Sequence, residues 1–167
     1  LFFSQGILPN MPAAALRDDP LSARLTQRTA TVGIVGLGYV GLPLAAAVAK
    51  AGFKAIGFDI DLAKTDRINA ARSYIDAVSD ADLAAHIAGG RLRATTDFSV
   101  FAECDVICMC VPTPLTKQRE PDLSFVESTT RAIAKYLRRD QLIILESTTY
   151  PGTTEEVVKP ILEATGM

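Results

Sequence analysis

Three glycines, Gly36, Gly38 and Gly41, stand in the spacing G-x-G-x-x-G between an apolar run and a helical pattern. The run at 32–35 is typical of a buried parallel strand, and the helical pattern covers 40–51. In such a turn the first glycine permits a sharp exit from the strand, the second lets backbone amides approach a pyrophosphate, and the third lets the helix pack closely. The helix N-terminus would add free N–H groups and the positive end of its dipole. The spacing therefore predicts a dinucleotide-binding turn.

A second apolar run at 55–58 ends in Asp59, which completes a strand–helix–strand unit. A carboxylate at this place accepts hydrogen bonds from an adenosine ribose and would repel a 2′-phosphate, so we expect NAD rather than NADP. The helix between the two strands is predicted to bury Leu44, Val48 and Ala51 on one face. The alternative is a tight strand–helix turn in an α/β protein of another kind.

Composition argues against several classes of function. Of the 167 residues, 49% are hydrophobic and 22% are charged, and no apolar run is long enough to span a membrane. The net charge of −2 and the lack of a basic block argue against nucleic acid as a partner. The three cysteines, an odd number with two in one apolar strand, indicate a reducing compartment and predict a cytoplasmic location. No Cys or His cluster has the spacing of a metal site.

We divide the chain into an irregular lead-in, residues 1–29, and one dinucleotide-binding domain, residues 30–167. The lead-in has prolines among charged residues and room for a short helix near 21–27. Its apolar start lacks a preceding basic region, which argues against a secretory signal. Met11 lies a suitable distance before the first strand, so we expect it to be the natural start, with the preceding residues as upstream sequence.

Two further helices and a strand are predicted after Asp59. A helix over 61–71 is capped by its first residue, a helix over 80–88 is closed by two glycines, and a strand follows at 92–95. Lys64 lies in the first turn of the earlier helix. Its spacing alone favours a solvated surface lysine over a cation near the adenosine end of a cofactor.

The fourth and fifth strands, near 106–111 and 142–145, end in loops rich in proline and hydroxyl residues. In a doubly wound sheet ligands bind at the carboxyl ends of the strands, so we expect both loops to line a cofactor cleft. The fold class is then α/β and Rossmann-type, with about five parallel strands in the order 3-2-1-4-5 and helices on both faces. Hydroxyls of Thr153 and Thr154 are predicted to cap the last helix, which Pro160 would kink or end early.

The cysteines are interpreted as structural residues. Cys108 and Cys110 lie in the fourth strand and are expected in the core, on opposite faces of the sheet, while Cys104 just before the strand is expected to be partly exposed. Their spacing fits neither a C-x-x-C redox site nor half of a zinc site. We therefore assign no catalytic thiol among them.

Four motifs together resemble the nucleotide-sugar dehydrogenases, the family of UDP-glucose and GDP-mannose dehydrogenases. They are GIVGLGYVGLPLA at 33–45, VPTP at 111–114, REPDLS at 119–124 and ESTTYPGTT at 146–154. The resemblance is closest to the branch that acts on UDP-N-acetylglucosamine or UDP-N-acetylmannosamine. It implies oxidation of the sugar C6 hydroxyl of a UDP-sugar to a carboxylate with two NAD⁺, as in polysaccharide biosynthesis. We expect a homo-oligomer for the full-length protein.

The resemblance also implies site residues. Those expected to contact the cofactor are Gly36, Leu37, Gly38, Tyr39, Val40, Gly41, Asp59, Lys64, Val111, Pro112, Thr113 and Thr148. Thr148 matches the family threonine that lies by the nicotinamide and helps to place the catalytic water, so it is the candidate catalytic residue. The catalytic thiol, lysine and asparagine of the family belong to later segments that this sequence does not contain, and no cysteine here matches the thiol motif.

This chain alone is accordingly expected to bind dinucleotide and to oxidise no sugar nucleotide. Two alternatives stay open at this point. One is a stand-alone NAD-binding or sensing module without chemistry. The other is the cofactor domain of a different dehydrogenase, of the 6-phosphogluconate or hydroxyacid type, which the motif at 146–154 disfavours.

Overall fold

The computed structural model describes residues 20–117, 119 and 121–166. Within them one sheet of five parallel strands has the order β3-β2-β1-β4-β5, which confirms the predicted fold class and strand order. The strands are β1 Thr31–Val35, β2 Lys54–Phe58, β3 Leu92–Thr95, β4 Val106–Met109 and β5 Leu142–Leu145. The expected start at Met11 lies outside the described residues.

Helices connect the strands on both sides of the sheet. They are α1 Pro20–Thr26, α2 Gly41–Lys50, α3 Leu62–Asn69, α4 Asp80–Ala88, α5 Ser124–Ala134 and α6 Lys159–Glu163, with a 3₁₀ helix at Phe98–Glu103 and a π-helical turn at Thr154–Val158. Alternating strand residues point to two separate apolar cores. Ile34 belongs to the core that includes α2 and α4, and Val35 belongs to the core that includes α5. Across the described ranges no helix is long and apolar enough to cross a membrane.

The buried face of α2 differs from the predicted one. Leu42, Ala45 and Ala49 are fully buried, while Ala51 is exposed. Gly41 explains the difference, because a Cβ on it would collide with the carbonyl oxygen of Gly36. Ala45 and Ala49, which follow Gly41 at spacings of four, therefore lie on the helix face that packs against the sheet.

Three local predictions are wrong for simple reasons. Cys108 and Cys110 pack against the same core, since residues two apart in a strand share a face, and Cys104 is fully buried. The Thr153 hydroxyl does not cap the helix that follows, because it donates to the Tyr150 carbonyl at 2.8 Å. The prediction for Pro160 has a different outcome: the helix that it was predicted to kink or end early is divided just before it, into the π-helical turn and α6, and Pro160, which has no N–H to donate, lies in the first turn of α6.

A buried carboxylate closes the amino end of the sheet. Asp105 precedes β4, and its Oδ2 accepts the backbone N–H of Thr31 at 2.9 Å. Its Oδ1 accepts from Arg138 Nη2 at 2.6 Å and lies 3.3 Å from Arg24 Nη2. Burial raises the pKa of Asp105, but the Thr31 N–H and the two guanidinium groups outweigh this effect and hold the pKa below its usual value. This cluster joins α1, β1, β4 and the segment before β5.

Candidate functional site

The carboxyl ends of β1, β2, β4 and β5 surround a cleft of about 790 Å³. This volume is typical of a pocket that holds a small molecule or cofactor. The predicted site residues that line the cleft are Gly36, Gly38, Tyr39, Val40, Asp59, Lys64, Val111, Pro112, Thr113 and Thr148. Leu37 and Gly41 do not line it. A smaller hollow of about 420 Å³ lies at the other end of the sheet, beside the exposed ion pair of Arg93 and Glu103.

The three glycines of the turn meet different steric requirements. Gly36 has φ +88°, and a Cβ on it would lie 2.7 Å from the carbonyl oxygen of Cys110. A Cβ on Gly41 would meet the Gly36 carbonyl, so the fold itself requires both residues to be glycine. A Cβ on Gly38 would have no protein atom within 4 Å. The absence of a side chain at Gly38 is thus not required by packing, and it leaves the backbone open to the cleft.

The turn presents unpaired donors to this opening. Within the residues that the structure describes, no acceptor pairs with the backbone N–H of Gly38, Tyr39 or Val40. No side chain caps α2 at Val40 either. Free amides at a helix N-terminus, together with the positive end of the helix dipole, bind anionic groups such as phosphates. The chemistry of these donors fits the pyrophosphate of a dinucleotide.

Asp59 is only 7% exposed and is already hydrogen-bonded within the protein. Its Oδ2 accepts the Leu37 N–H at 2.9 Å and the Lys64 ammonium at 3.2 Å, and its Oδ1 accepts the Asp61 N–H at 3.0 Å. An ionised carboxylate has about four acceptor positions, so about one is left for a ribose hydroxyl. Lys64 is paired with Asp59, unlike the solvated lysine that its spacing alone favoured.

Two side-chain hydroxyls join the loop after β4 to the loop after β5. Ser147 Oγ donates to the Val111 carbonyl at 2.7 Å, and Thr113 Oγ1 donates to the Thr148 carbonyl at 2.6 Å. These bonds place Pro112 and the exposed Thr148 on one wall of the cleft. The sequence predicts only that the loop containing Ser147 lines the cleft. It does not predict the hydrogen bond from Ser147 to Val111, because this bond joins segments that are 36 residues apart.

The three thiols in and next to β4 are poor nucleophiles. Burial raises the pKa of Cys104 to about 12 and the pKa values of Cys108 and Cys110 to about 11. Cys110 alone among them lines the cleft. Because the thiolate is the reactive form, each of these thiols stays protonated and unreactive at neutral pH.

Comparison with known proteins adds the family context. Residues 30–166 match the NAD-binding domain of the UDP-glucose/GDP-mannose dehydrogenase family. The NDP-N-acetyl-D-galactosaminuronic acid dehydrogenase of Ralstonia nicotianae is 41% identical over 128 residues, which cover 76% of this chain and 30% of that protein. The UDP-N-acetyl-D-mannosamine dehydrogenase of Escherichia coli K12 is 41% identical over 138 residues, which cover 80% of this chain and 31% of that protein.

Solved structures agree with the sequence comparison. A ternary complex of GDP-mannose dehydrogenase from Pseudomonas aeruginosa superimposes with a TM-score of 0.75 at 35% identity, covering 80% of this chain and 32% of that one. The UDP-D-ManNAc dehydrogenase of Pyrococcus horikoshii gives a TM-score of 0.76 at 34% identity, covering 82% of this chain and 33% of that one. The chain spans about a third of the length of the relatives it matches.

Proposed function

The chain belongs to the UDP-glucose/GDP-mannose dehydrogenase family and its cofactor is NAD, and we propose that it is the NAD-binding domain of a nucleotide-sugar 6-dehydrogenase. We propose that this enzyme acts on a UDP-N-acetylhexosamine. The observation that carries the proposal is the set of unpaired amides at the glycine turn, open to a cleft that the strand-end motifs line. The relatives at about 40% identity that act on UDP-N-acetylated sugars support the substrate class.

Each part of the cleft has a proposed role in holding NAD. The amides of Gly38, Tyr39 and Val40 bind the pyrophosphate, and the remaining acceptor position of Asp59 binds an adenosine ribose hydroxyl. Lys64 neutralises Asp59 at that end. The wall formed by the loops after β4 and β5 lies at the opposite end of the cleft, where Thr148 faces the nicotinamide and helps to place the attacking water.

The overall chemistry is a four-electron oxidation of a primary alcohol at C6 to a carboxylate. NAD⁺ supplies a hydride acceptor for two electrons, so each sugar requires two NAD⁺ in succession. The second transfer requires the intermediate aldehyde to be held as a hydrate or as a covalent thiol adduct. Cys104 and Cys108 are buried outside the cleft, and burial raises the pKa of Cys110, which lines it, to about 11. We therefore assign the nucleophile to a part of the longer relatives that this chain does not cover.

A binding titration followed by an activity assay tests the proposal. The purified 167-residue chain should bind NAD more tightly than NADP, and it should form no NADH when UDP-N-acetylglucosamine or UDP-N-acetylmannosamine is added. Failure to bind NAD would overturn the cofactor assignment. Steady NADH formation that disappears on substitution of Cys104, Cys108 or Cys110 would overturn the placement of the nucleophile. With the full-length protein, UDP-glucose or GDP-mannose as the better substrate would overturn the substrate class.

A further inference from the structure

The connection between α3 and α4 reaches the glycine turn through one tyrosine. Tyr74 lies in this connection, and its hydroxyl donates to the carbonyl oxygen of Leu37 at 2.6 Å. The two residues are 37 positions apart in the sequence. Tyr74 does not line the cleft, so the contact is made from behind the turn. Leu37 sits between the first two glycines of the motif and is fully buried.

Leu37 is held by three separate contacts. Its N–H donates to Asp59 Oδ2 at 2.9 Å, and its carbonyl accepts from Tyr74. Its side chain packs over Gly57, where an added Cβ would lie 2.7 Å from Leu37 Cδ2. A buried backbone group fixed on both its polar atoms and its side chain has one orientation only.

That orientation decides where the next amide points. The peptide unit is planar and trans, so the carbonyl of Leu37 and the N–H of Gly38 point in opposite directions. The carbonyl points to Tyr74 behind the turn, and the Gly38 N–H therefore points towards the cleft, where no described residue accepts it. We propose that Tyr74 is a positioning residue, whose hydroxyl orients the Leu37–Gly38 peptide so that the Gly38 amide meets the cofactor pyrophosphate. The inference rests on the cofactor pose proposed above.

The tyrosine is itself supported from two helices. Arg67 of α3 stacks its guanidinium 5.3 Å from the centre of the Tyr74 ring and donates to the Ser73 carbonyl at 2.7 Å. Asp80 of α4 accepts the Ser73 N–H at 2.7 Å. Burial and the nearby Asp59 carboxylate raise the pKa of Tyr74 to about 12, which keeps the hydroxyl a donor throughout the neutral range.

Binding of cofactor fragments to Tyr74→Phe tests this role. Loss of one such hydrogen bond corresponds to a change of about 3- to 10-fold in affinity, which we expect for NAD and for ADP-ribose. Adenosine has no pyrophosphate, so its affinity should stay unchanged. Tyr136→Phe is the matched control, because Tyr136 lies outside the cleft, at the end of α5, and should alter none of the three affinities. All titrations are made well below the unfolding transition of each variant.

Each outcome has one meaning. Unchanged ADP-ribose affinity in Tyr74→Phe would overturn the positioning role. An equal loss of adenosine affinity would also overturn it, because Tyr74 would then only support the fold. If the wild-type chain does not bind ADP-ribose at all, the cofactor pose fails instead. If Tyr74→Phe does not fold, Asp80→Ala is used instead. Asp80 is exposed, and its replacement removes the acceptor of the Ser73 N–H, next to Tyr74, without changing the tyrosine itself. A weakening of about 2-fold or more, again for NAD and ADP-ribose but not for adenosine, is expected for Asp80→Ala, and no change would overturn the proposal.

Discussion

Two buried aspartates, at opposite ends of the sheet, use the same chemistry with different results. Asp59 follows β2 and Asp105 precedes β4, and they are 7% and 8% exposed. Each carboxylate accepts one backbone N–H from the β1 segment at 2.9 Å, from Leu37 just after the strand and from Thr31 at its first residue. Both therefore fix the central strand to a neighbouring element.

The difference lies in the groups around them. At the amino end, Arg138 also donates to the carbonyls of Ala102 and Cys104, and Gln141 donates to Phe101 and Cys104. At the carboxyl end, Asp59 has one partly exposed lysine, and the neighbouring turn amides have no partner in the described part of the chain. Within the described residues, the amino end pairs its carboxylate and the neighbouring carbonyls within the protein, although the buried Nε and Nη2 atoms of Arg24 make no hydrogen bond. The carboxyl end leaves its backbone donors open for a ligand.

The change expected to separate the two ends most strongly is Gly38→Val. A Cβ at this position would have no protein atom within 4 Å apart from its chain neighbours, and the side chain would stand where the pyrophosphate is proposed to bind. We expect NAD affinity to fall about 100-fold or more, equivalent to about 2.7 kcal/mol, with little change in melting temperature. Gly38→Ala should give an intermediate loss. Titration calorimetry and thermal unfolding of the same samples check this, and wild-type affinity in Gly38→Val would contradict the proposed pose.

Asp59→Ala should affect both binding and stability. It removes the proposed ribose acceptor and leaves the Leu37 and Asp61 amides without their carboxylate. A charge-assisted bond contributes about 1.5–3 kcal/mol, so NAD should bind roughly 10- to 150-fold more weakly. The preference for NAD over NADP should also narrow, because the negative charge facing a 2′-phosphate is gone. An unchanged preference would show that Asp59 serves only the fold.

Asp105→Ala should affect stability alone. Removing one partner of a buried ion pair costs about 3–5 kcal/mol, but Arg24 and Arg138 are about a third exposed, so we expect about 2 kcal/mol. Urea unfolding measures the loss. NAD affinity, measured where the variant is folded, should equal that of the wild type. A parallel loss of affinity would mean that the two ends of the sheet are coupled.

The sequence predicts those features of the two ends of the sheet that depend on local contacts, and not those that depend on contacts between distant residues. The glycine turn and the strands follow from periodicity and spacing within short segments, and the strand order follows from the doubly wound fold that the turn indicates. The partners of the two aspartates do not, because Asp59 and Leu37 are 22 residues apart and Asp105 and Thr31 are 74 apart. The same limit explains Tyr74, which no local pattern marks. The α2 face was mispredicted because the Gly41–Gly36 contact, not the apolar pattern, decides which row meets the sheet.

Acid should weaken the amino end as its carboxylate is neutralised. The pKa of Asp105 is lower in the folded chain than in the unfolded chain. Its contribution to stability is therefore complete above the unfolded value of about 3.9 and is lost as the pH falls through the folded value. Unfolding free energies of wild type and Asp105→Asn should converge as the pH drops below about 4. A constant difference down to the lowest pH at which the chain folds would exclude this residue as an acid-sensitive group.

The smallest expected effect comes from the cations, and it compares the two ends directly. Lys64→Met removes one ion pair with a lysine that is 37% exposed, and Asp59 keeps the Leu37 and Asp61 amides. A pair whose cation is this exposed is screened by solvent and contributes about 0–1 kcal/mol, so we expect a change in unfolding free energy within that range and NAD binding only about 2- to 5-fold weaker. Arg138→Met, the same kind of change at the amino end, also removes the bonds to three carbonyls and should cost more stability while leaving NAD affinity unchanged. If Lys64→Met proved the more destabilising of the two, the carboxyl end would depend on its cation as the amino end does. The contrast between an amino end that stabilises the fold and a carboxyl end that binds a ligand would then be wrong.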